Sequence, residues 1–347
     1  MSEPNFIEVA LAADRNYIIG LTVAAYSIAC NCNADSPLRF HLLISGFSEK
    51  DKEDLRGKIT SAKQNSTVCF YDVAEIDFSF LPLYASSRMT YARLILPEIL
   101  KTASHVIYAD VDMLWLDDIA DLWSLKDEVD LVSCVREQSR KTISMEEAWF
   151  TSRNLPFDRS RYFCAGVSFY NLEAIRESGA FKKVFDFGAK YPSFNCADQS
   201  MLYGAIGEKV KLLPDRWQTF PRNGITAKPG EPVVLHYAGE APWKCTNFTC
   251  MITDTQLLWF MVCAIVYDES VWKSLRRFYS PARIILSRII FVSLFKIWPA
   301  TILSKFLLRK LGVENFNEKL SRRSLYIKRI HDSRKRGYSA DSSSAAI

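Results

Sequence analysis

The sequence predicts an α/β fold in which a Rossmann-like, mostly parallel sheet is covered by helices on both faces. Short apolar runs alternate with segments of helical periodicity through the first 250 residues. Hydrophobic residues make up 49% of the 347 residues, which supplies a large core and excludes a disordered or fibrous chain. Acidic residues follow apolar runs, at the strand ends where open α/β sheets bind ligands.

The N-terminal elements follow this alternation. Phe6–Leu11 is an apolar run and predicts a buried first strand, and Asn16–Ile28 has apolar residues at helical spacing. Leu38–Ile44 predicts a second strand that ends at a Ser-Gly pair. Ser48–Lys58 begins with acidic residues in its first turn, which favours a helix start.

The later elements complete the predicted sheet. Thr255–Tyr267 has no charge, but its 13 residues are fewer than the roughly 20 that span a bilayer, so it predicts a buried closing helix. The other predicted strands are Thr67–Val73, His105–Ala109, Leu131–Val135, Gly166–Tyr170 and Val233–Tyr237.

Charge divides the chain into unlike parts. The net charge is +5, but residues 1–270 hold 27 Lys+Arg against 35 Asp+Glu, whereas residues 271–347 hold 17 against 4. We therefore expect a folded domain over 1–270, a basic amphipathic helical segment over 271–336 and a disordered tail over 337–347. Cations interrupt every apolar run of the basic segment and Pro299 would kink a helix, which favours an anionic membrane surface as its partner. A packed helical subdomain and nucleic acid are the alternatives.

An acidic pair after the fourth strand is the most informative local pattern. Asp110 and Asp112 are spaced so that a continuing strand presents both on one face. Two like charges there are costly without a cation, and a divalent metal with oxygen ligands is the natural one. A solvated acidic loop is the alternative without a function. An aspartate-nucleophile phosphatase is the rival enzyme, but Leu114 replaces the Thr of that motif.

A second metal candidate follows the last predicted strand. His236 closes that strand, Gly239 would let the backbone approach a phosphate, and Lys244 offers a cation. A capped, hydrogen-bonded histidine is the alternative. The sequence contains neither the dinucleotide-binding nor the P-loop glycine motif. Its nine scattered cysteines and its polar, acidic start predict free thiols in a reducing cytoplasm.

Taken together, six motifs in order resemble glycosyltransferase family 8, especially its bacterial lipopolysaccharide galactosyl- and glucosyltransferases and, more distantly, glycogenin. The resemblance covers about Val9 to Lys244 and implies the GT-A arrangement of the α/β fold. The motifs are Leu11–Tyr17, Thr90–Leu94, Asp110–Asp112, Phe163–Val167, Ala197–Gln199 and His236–Gly239 with Pro242-Trp243.

The resemblance implies roles for individual residues. Mn²⁺, or Mg²⁺ in its place, would be bound by Asp110, Asp112 and His236. Arg93, Asp198 and Gln199 would act at the donor sugar, with Gln199 near the anomeric carbon. The UDP-sugar would meet Ala12, Asp14, Asn16, Tyr17 stacked on uracil, Asp110, Val111, Cys164, Ala165, Gly239 and Lys244.

The resemblance also implies the reaction. A retaining, metal-dependent enzyme would move galactose or glucose from a UDP-hexose to a cell-surface glycolipid or oligosaccharide, at the cytoplasmic face of a bacterial membrane. Cys164 stands where the family has Asn, and Ala241 where it has Lys before Pro-Trp, so Lys244 would act from a shifted position. A catalytically silent sugar-nucleotide-binding protein is therefore the alternative.

The polar segment 136–154 is the candidate for the acceptor side. It follows a strand and is long enough for a lid or an acceptor-binding loop. Arg136, Arg140 and Lys141 would then meet an acidic or phosphorylated saccharide. An ordinary solvated loop is the alternative.

Overall fold

A computed structural model describes residues 6–33, 35–83, 87–221, 233–239, 241–244 and 253–292. Seven strands form one central sheet, and two short strands form a second sheet. The strands are β1 (Ile7–Asp14), β2 (Leu38–Ser45), β3 (Thr67–Asp72), β4 (His105–Ala109), β5 (Met113–Trp115), β6 (Val132–Arg136), β7 (Phe163–Asn171), β8 (Val210–Leu213) and β9 (Val234–His236).

The central sheet is mostly parallel, which confirms the predicted fold class. Its order is β3-β2-β1-β4-β7-β6-β8. Of these strands, β7 alone pairs antiparallel with its neighbours, β4 and β6. The sequence analysis missed β5 and β8, because runs of three and four residues carry too little periodicity.

Helices cover both faces of this sheet. The strand β1 shows why, because its residues Val9 and Leu11 pack in one buried cluster and its residues Ala10 and Ala12 in another. The α-helices are α1 (Ile18–Asn31), α2 (Glu49–Ala62), α3 (Leu96–Ile99), α4 (Ala120–Trp123), α5 (Arg140–Thr151), α6 (Leu172–Ser178), α7 (Ala180–Lys190), α8 (Ala197–Ile206), α9 (Asp254–Val266), α10 (Val271–Arg276) and α11 (Pro281–Val292).

Two predictions concern the C-terminal part of the chain, namely the closing helix and the basic segment. The closing helix exists as α9, which is capped by Thr253 and Gln256 and packs Trp259 and Phe260 in a third buried cluster. The basic segment falls within the described residues only as far as Val292, and its remainder and the tail lie outside them. Among the described helices, none is both long and apolar enough to cross a membrane.

The predicted acceptor segment 136–154 is largely a helix. Its 12-residue helix α5 begins after Ser139, whose hydroxyl accepts from the Thr142 N–H. Trp149 and Phe150 anchor α5 in the core, so most of the segment is not an open loop.

A glycine in α1 allows the segment after β9 to pack closely against that helix. A Cβ added at Gly20 of α1 would lie 2.3 Å from Cη2 of Trp243 and 3.0 Å from the Val111 carbonyl oxygen. Trp243 is buried and packs against Trp259 of α9. The absent side chain of Gly20 therefore lets the segment 241–244 lie against α1.

This contact predicts that Gly20→Ala lowers the free energy of unfolding by about 1–3 kcal/mol, because the added methyl overpacks Trp243. The matched control is Gly57→Ala on the exposed face of α2, where nothing lies within 4 Å. That control should be neutral or stabilise by up to about 1 kcal/mol, because alanine favours helix. Urea unfolding of both variants measures the difference, and equal stabilisation by both would contradict the packing.

Candidate functional site

Two carboxylates and one imidazole converge beyond the end of β4. One ligand atom each from Asp110, Asp112 and His236 lie within 4.8 Å of one another. His236 Nε2 is 3.2 Å from Oδ1 of Asp112 and 3.8 Å from Oδ2 of Asp110. Among the residues described by the structure, this is the only such group of three. The two sequence-predicted metal candidates, separated by more than 120 residues, are thus one cluster.

Short strands build this cluster. Asp110 follows β4, and its N–H donates to the Gly166 carbonyl at 2.9 Å. Asp112 precedes β5, whose Met113 pairs with His236 of β9 in antiparallel register. The Tyr237 N–H donates to the Asp112 carbonyl at 2.8 Å. Backbone hydrogen bonds therefore set the positions of all three side chains.

Strand β7 passes directly beneath the imidazole. A Cβ at Gly166 would lie 2.6 Å from Cε1 of His236 and 2.6 Å from the Met113 methyl, so only glycine fits there without displacement. Cys164 Sγ lies 3.9 Å from Nδ1 of His236. The Cys164 thiol thus contacts Nδ1, the ring nitrogen of His236 that does not face the two aspartates.

Arg93 lies at the centre of the buried charges. It is 3% exposed and sits in the 3₁₀ helix Met89–Ile95. Its guanidinium is 2.5 Å from Oδ1 of Asp110 and 3.0 Å from Oδ2 of Asp198, and it donates to the Ala165 carbonyl. It also lies over the ring of Tyr108 at 4.2 Å. One cation thereby joins β4, β7 and α8.

The first turn of α8 supplies the last two predicted catalytic residues. Ala197 has a φ of 46°, in the left-handed region that costs a non-glycine residue about 1 kcal/mol. Asp198 is 4% exposed, and its two oxygens are engaged by the Thr90 hydroxyl and by Arg93. Gln199 Oε1 accepts from the Ala165 N–H at 3.2 Å. The pair is therefore buried at the site and does not cap α8, whose N-cap residue is Cys196.

The residues expected around uracil lie at the end of β1. Asp14 caps the following 3₁₀ helix by accepting from the Asn16 N–H at 2.8 Å, and its other oxygen accepts from the Ser87 hydroxyl at 3.0 Å. Ala12 is buried in the strand. Tyr17 is half-buried, with its ring edge-on to Trp243 at 6.3 Å.

Lys244 contacts this aromatic residue. Its Nζ lies 3.4 Å from the ring centroid of Tyr17, so one face of the ring is covered by a cation. Gly239 has a φ of 71°, which glycine adopts without strain, and nothing lies within 4 Å of a Cβ built there. Val111 is buried between the two aspartates.

Burial and charge shift the pKa values of the cluster in opposite directions. Burial, assisted by Asp112, raises the pKa of Asp110 to about 6, although Arg93 opposes this. Burial would lower the pKa of His236, but the charge and hydrogen bond of Asp112 raise it well above its usual 6.5. Burial would raise the pKa of Asp112, but the same contact with His236 lowers it below its usual value. Without a metal ion, the neighbouring Asp112 carboxylate therefore favours the protonated form of His236.

The donor set fits a divalent ion. Two carboxylate oxygens suit Mg²⁺ and Mn²⁺, and an imidazole nitrogen favours a transition metal such as Mn²⁺ over Mg²⁺. The three atoms lie close enough for one ion to take the place of the imidazolium proton. The chemistry of this set therefore supports the expected metal role of Asp110, Asp112 and His236.

Several residues of the site escaped the sequence analysis. Ser87 lies outside the named helices and strands, where no pattern distinguishes it. Thr90 opens the motif Thr90–Leu94, but the sequence analysis gave it no role of its own. Glu137 is different, because it directly follows β6 and is buried, and its backbone N–H donates to the Tyr162 carbonyl at 2.9 Å. The rule that polar residues after a strand end are candidates would have found Glu137.

Comparison with known proteins shows which family this sequence matches. A family model described as glycosyl transferase family 8 matches residues 8–247. A Haemophilus influenzae protein whose name describes a glycosyltransferase is 26% identical over 264 residues, covering 72% of this chain and 78% of that protein. Galacturonosyltransferase-like protein 10 of Arabidopsis thaliana is 26% identical, covering 70% of this chain and 72% of that protein.

Solved structures show the same fold. The galactosyltransferase LgtC, crystallised with donor and acceptor sugar analogues, aligns with a TM-score of 0.60 and 24% identity, covering 74% of this chain and 95% of that one. The bifunctional glycosyltransferase WbbM aligns with a TM-score of 0.62 and 20% identity, covering 80% of this chain. The aligned part is 53% of WbbM, so this chain spans about half of its length.

The raised pKa of His236 predicts that Mn²⁺ binds more tightly as pH rises. Because the pKa of His236 is raised, its proton must leave before Nε2 can ligate, and the dissociation constant should fall by up to about tenfold per pH unit between pH 6 and 8. Calorimetric titration with MnCl₂ at pH 6, 7 and 8 measures this slope. The control His236→Gln should bind more weakly with a flatter slope, and equal slopes would contradict the proton competition.

Proposed function

The chain belongs to glycosyl transferase family 8, and we propose that it transfers galactose or glucose from a UDP-hexose to a cell-surface glycolipid or oligosaccharide with retention. The observation that carries the proposal is the cluster of Asp110, Asp112 and His236 beside Gln199. A donor with a diphosphate needs a cation at its leaving group, and this cluster offers ligands for one.

The residues of the site have separate tasks in this proposal. A divalent ion held by Asp110, Asp112 and His236 would supply Lewis-acid stabilisation of the UDP leaving group. Arg93 pairs with both Asp110 and Asp198, so both carboxylates would meet the donor in a fixed geometry. Asp14 and Asn16 would bind the uracil at the end of β1. Tyr17 would stack on the base through the ring face that Lys244 does not cover.

Of the two candidates for the position beside the anomeric carbon, the hydrogen-bond partners favour Gln199 over Asp198. Both oxygens of Asp198 already have partners in Thr90 and Arg93. The Gln199 oxygen takes one hydrogen bond from the Ala165 N–H and keeps a second lone pair. An amide is a poor nucleophile, so we propose that it stabilises an ion-pair-like transition state while the acceptor attacks on the leaving-group face.

The alternative is a sugar-nucleotide-binding protein without turnover. Cys164 in place of an amide, and Lys244 in contact with Tyr17, favour it. The retained metal cluster favours the enzyme, because binding UDP alone does not need three converging ligands.

The first test is UDP release from UDP-glucose and from UDP-galactose. We expect Mn²⁺-dependent release of UDP from one of them, abolished by chelator and lowered at least about 100-fold in Asp112→Asn, because the variant loses an anionic ligand. A coupled UDP assay with and without acceptor saccharides measures it. Tight UDP binding with no turnover under any condition would favour the silent binder, and absent UDP binding would exclude both.

We also propose that the C-terminal part holds the enzyme at an anionic membrane surface. Trp272, Ile285 and Leu286 are exposed apolar side chains on α10 and α11, and Lys273 and Arg276 lie exposed on the same pair of helices. Residues 271–347 carry 17 basic and 4 acidic residues. Basic residues near anionic lipid contribute about 1 kcal/mol each, so a few of them suffice for attachment.

A truncation tests this membrane contact without removing buried residues of α10 and α11. Removing residues 293–347 leaves α10 and α11, and Leu275 of α10 and Ile284 of α11 lie in one buried cluster with residues of α9. We expect this truncation, combined with Trp272→Ser and Ile285→Ser, to lower binding to phosphatidylserine vesicles more than tenfold while UDP affinity is unchanged. Co-sedimentation measures binding, with phosphatidylcholine vesicles as control. Undiminished sedimentation would contradict membrane attachment.

A further inference from the structure

A buried carboxyl group outside the metal cluster lies between α5 and α8. Glu146 of α5 is fully buried, and its Oε2 accepts from the Ser200 hydroxyl of α8 at 2.7 Å. Its other oxygen, Oε1, has no hydrogen-bond partner among the residues that the structure describes. A buried carboxyl group with a partner on only one oxygen costs stability, because the other oxygen has lost its water. Core packing alone therefore does not explain why a glutamate occupies this position.

The Ser200 hydroxyl connects this carboxyl group to the start of α8. Ser200 is also fully buried, and its oxygen accepts from the Cys196 N–H at 3.0 Å while its O–H donates to Glu146. A serine hydroxyl has one hydrogen and two lone pairs, so both bonds can form at once. The Cys196 carbonyl in turn accepts from the Gln199 N–H at 3.0 Å. One chain of hydrogen bonds thus runs from Glu146 to the backbone of Gln199.

This chain of hydrogen bonds closes the turn that places two residues of the site. Ala197 has a φ of 46°, a conformation that a residue with a Cβ adopts only where its surroundings hold it. The side chain of Cys196, the N-cap residue of α8, makes no capping hydrogen bond. The Ser200 hydroxyl therefore adds a contact across this turn, and the directions of the Asp198 and Gln199 side chains depend on the turn.

Helix α5 also contacts the chain before this turn. The Trp149 indole N–H donates to the Ser193 carbonyl, and Arg153 Nη2 donates to the Ser193 hydroxyl at 3.1 Å. The Asn195 amide donates to the Met145 carbonyl at 3.4 Å. These contacts precede the turn and the carboxyl contact follows it, so α5 holds the chain on both sides of the turn.

We propose that Glu146 is a positioning residue for the transfer reaction and that it acts through the Ser200 hydroxyl. It keeps the turn at Ala197 in the conformation that directs the next two side chains, Asp198 and Gln199, toward the donor sugar. This inference rests on the proposed function, in which those two side chains act at the sugar. Glu146 need not touch the substrate, because a displacement of catalytic groups by about 1 Å can lower turnover about 100-fold.

A merely structural role for Glu146 makes a different prediction. If it only joined α5 to α8, its loss would lower the free energy of unfolding, and the protein that stays folded would keep its turnover. If it positions the turn, its loss lowers kcat in the folded protein and weakens binding of the sugar part of the donor. Binding of UDP alone would not change, because the end of β1 and the metal cluster would hold it.

The experiment uses the full chain with Mn²⁺ and the UDP-hexose that wild type turns over, at a temperature where every variant is folded. Glu146→Met keeps the side-chain length without an acceptor, whereas Glu146→Gln keeps an acceptor oxygen for the Ser200 hydroxyl. We expect kcat to fall about 10–100-fold in Glu146→Met and to stay within about threefold in Glu146→Gln. Affinity for UDP should stay within about twofold in both, whereas affinity for the UDP-hexose relative to UDP should fall in Glu146→Met.

A double-mutant cycle tests whether Glu146 acts through Ser200. In the Ser200→Ala background, Glu146→Met should change kcat by less than about threefold, because the hydroxyl that transmits the effect is absent. The matched control is Phe150→Leu on the same helix, whose buried ring contacts Tyr203 at the other end of α8. Its Tm should fall while its kcat stays within about threefold of wild type.

The outcomes distinguish the inference from its premise. A kcat of Glu146→Met close to that of wild type, with a lowered Tm, would show a structural role only. Equal losses in both Ser200 backgrounds, no rescue by Glu146→Gln, or the same loss in Phe150→Leu would also overturn the positioning role while leaving the transferase intact. A wild-type chain that neither binds nor hydrolyses any UDP-hexose would overturn the proposed function, and the inference with it.

Discussion

The site depends on one buried cation. Arg93 pairs with Asp110 and Asp198 and donates to the Ala165 carbonyl, so a single guanidinium fixes three segments that are far apart in the chain. Its planar fork and permanent charge suit this task, which a lysine would not perform with the same geometry. Buried charges are costly to leave unpaired, and loss of one partner from such a pair costs about 3–5 kcal/mol. The network therefore accounts for a site that holds several carboxylates in the protein interior.

The segments from β9 to α9 complete this arrangement. Strand β9 brings His236 opposite Met113, next to the acidic pair. Trp243 then packs on Gly20 and on Trp259 of α9, which holds the segment after β9 against α1. A glycine at 166 leaves room for the imidazole of His236. Glycines at two close contacts, Gly20 and Gly166, thus allow His236 and the segment after it to take their positions.

Local pattern predicted most of the framework and part of the site. Strands β1 to β4, α2 and α9 follow from apolar runs and first-turn signals, because each element is long enough to show its period. Asp110 and Asp112 were found because they follow a strand, and His236 because it closes one. Strand β5, with three residues, was missed, as was the antiparallel direction of β7. Strand direction depends on how the connections cross the sheet, which no local period encodes.

The sequence by itself determined the fold class, the family and the residues around which a divalent ion and a nucleotide sugar are expected. These depend on periodicity, on residue chemistry and on motif order, all of which are local properties of the chain. The tertiary structure alone decided that Arg93 is buried between two aspartates and that Lys244 contacts Tyr17. These contacts join residues that are 17, 105 and 227 positions apart in the chain. Long-range packing sets the distances between these residues and the burial of their side chains. The spacing of residues along the sequence does not predict such packing.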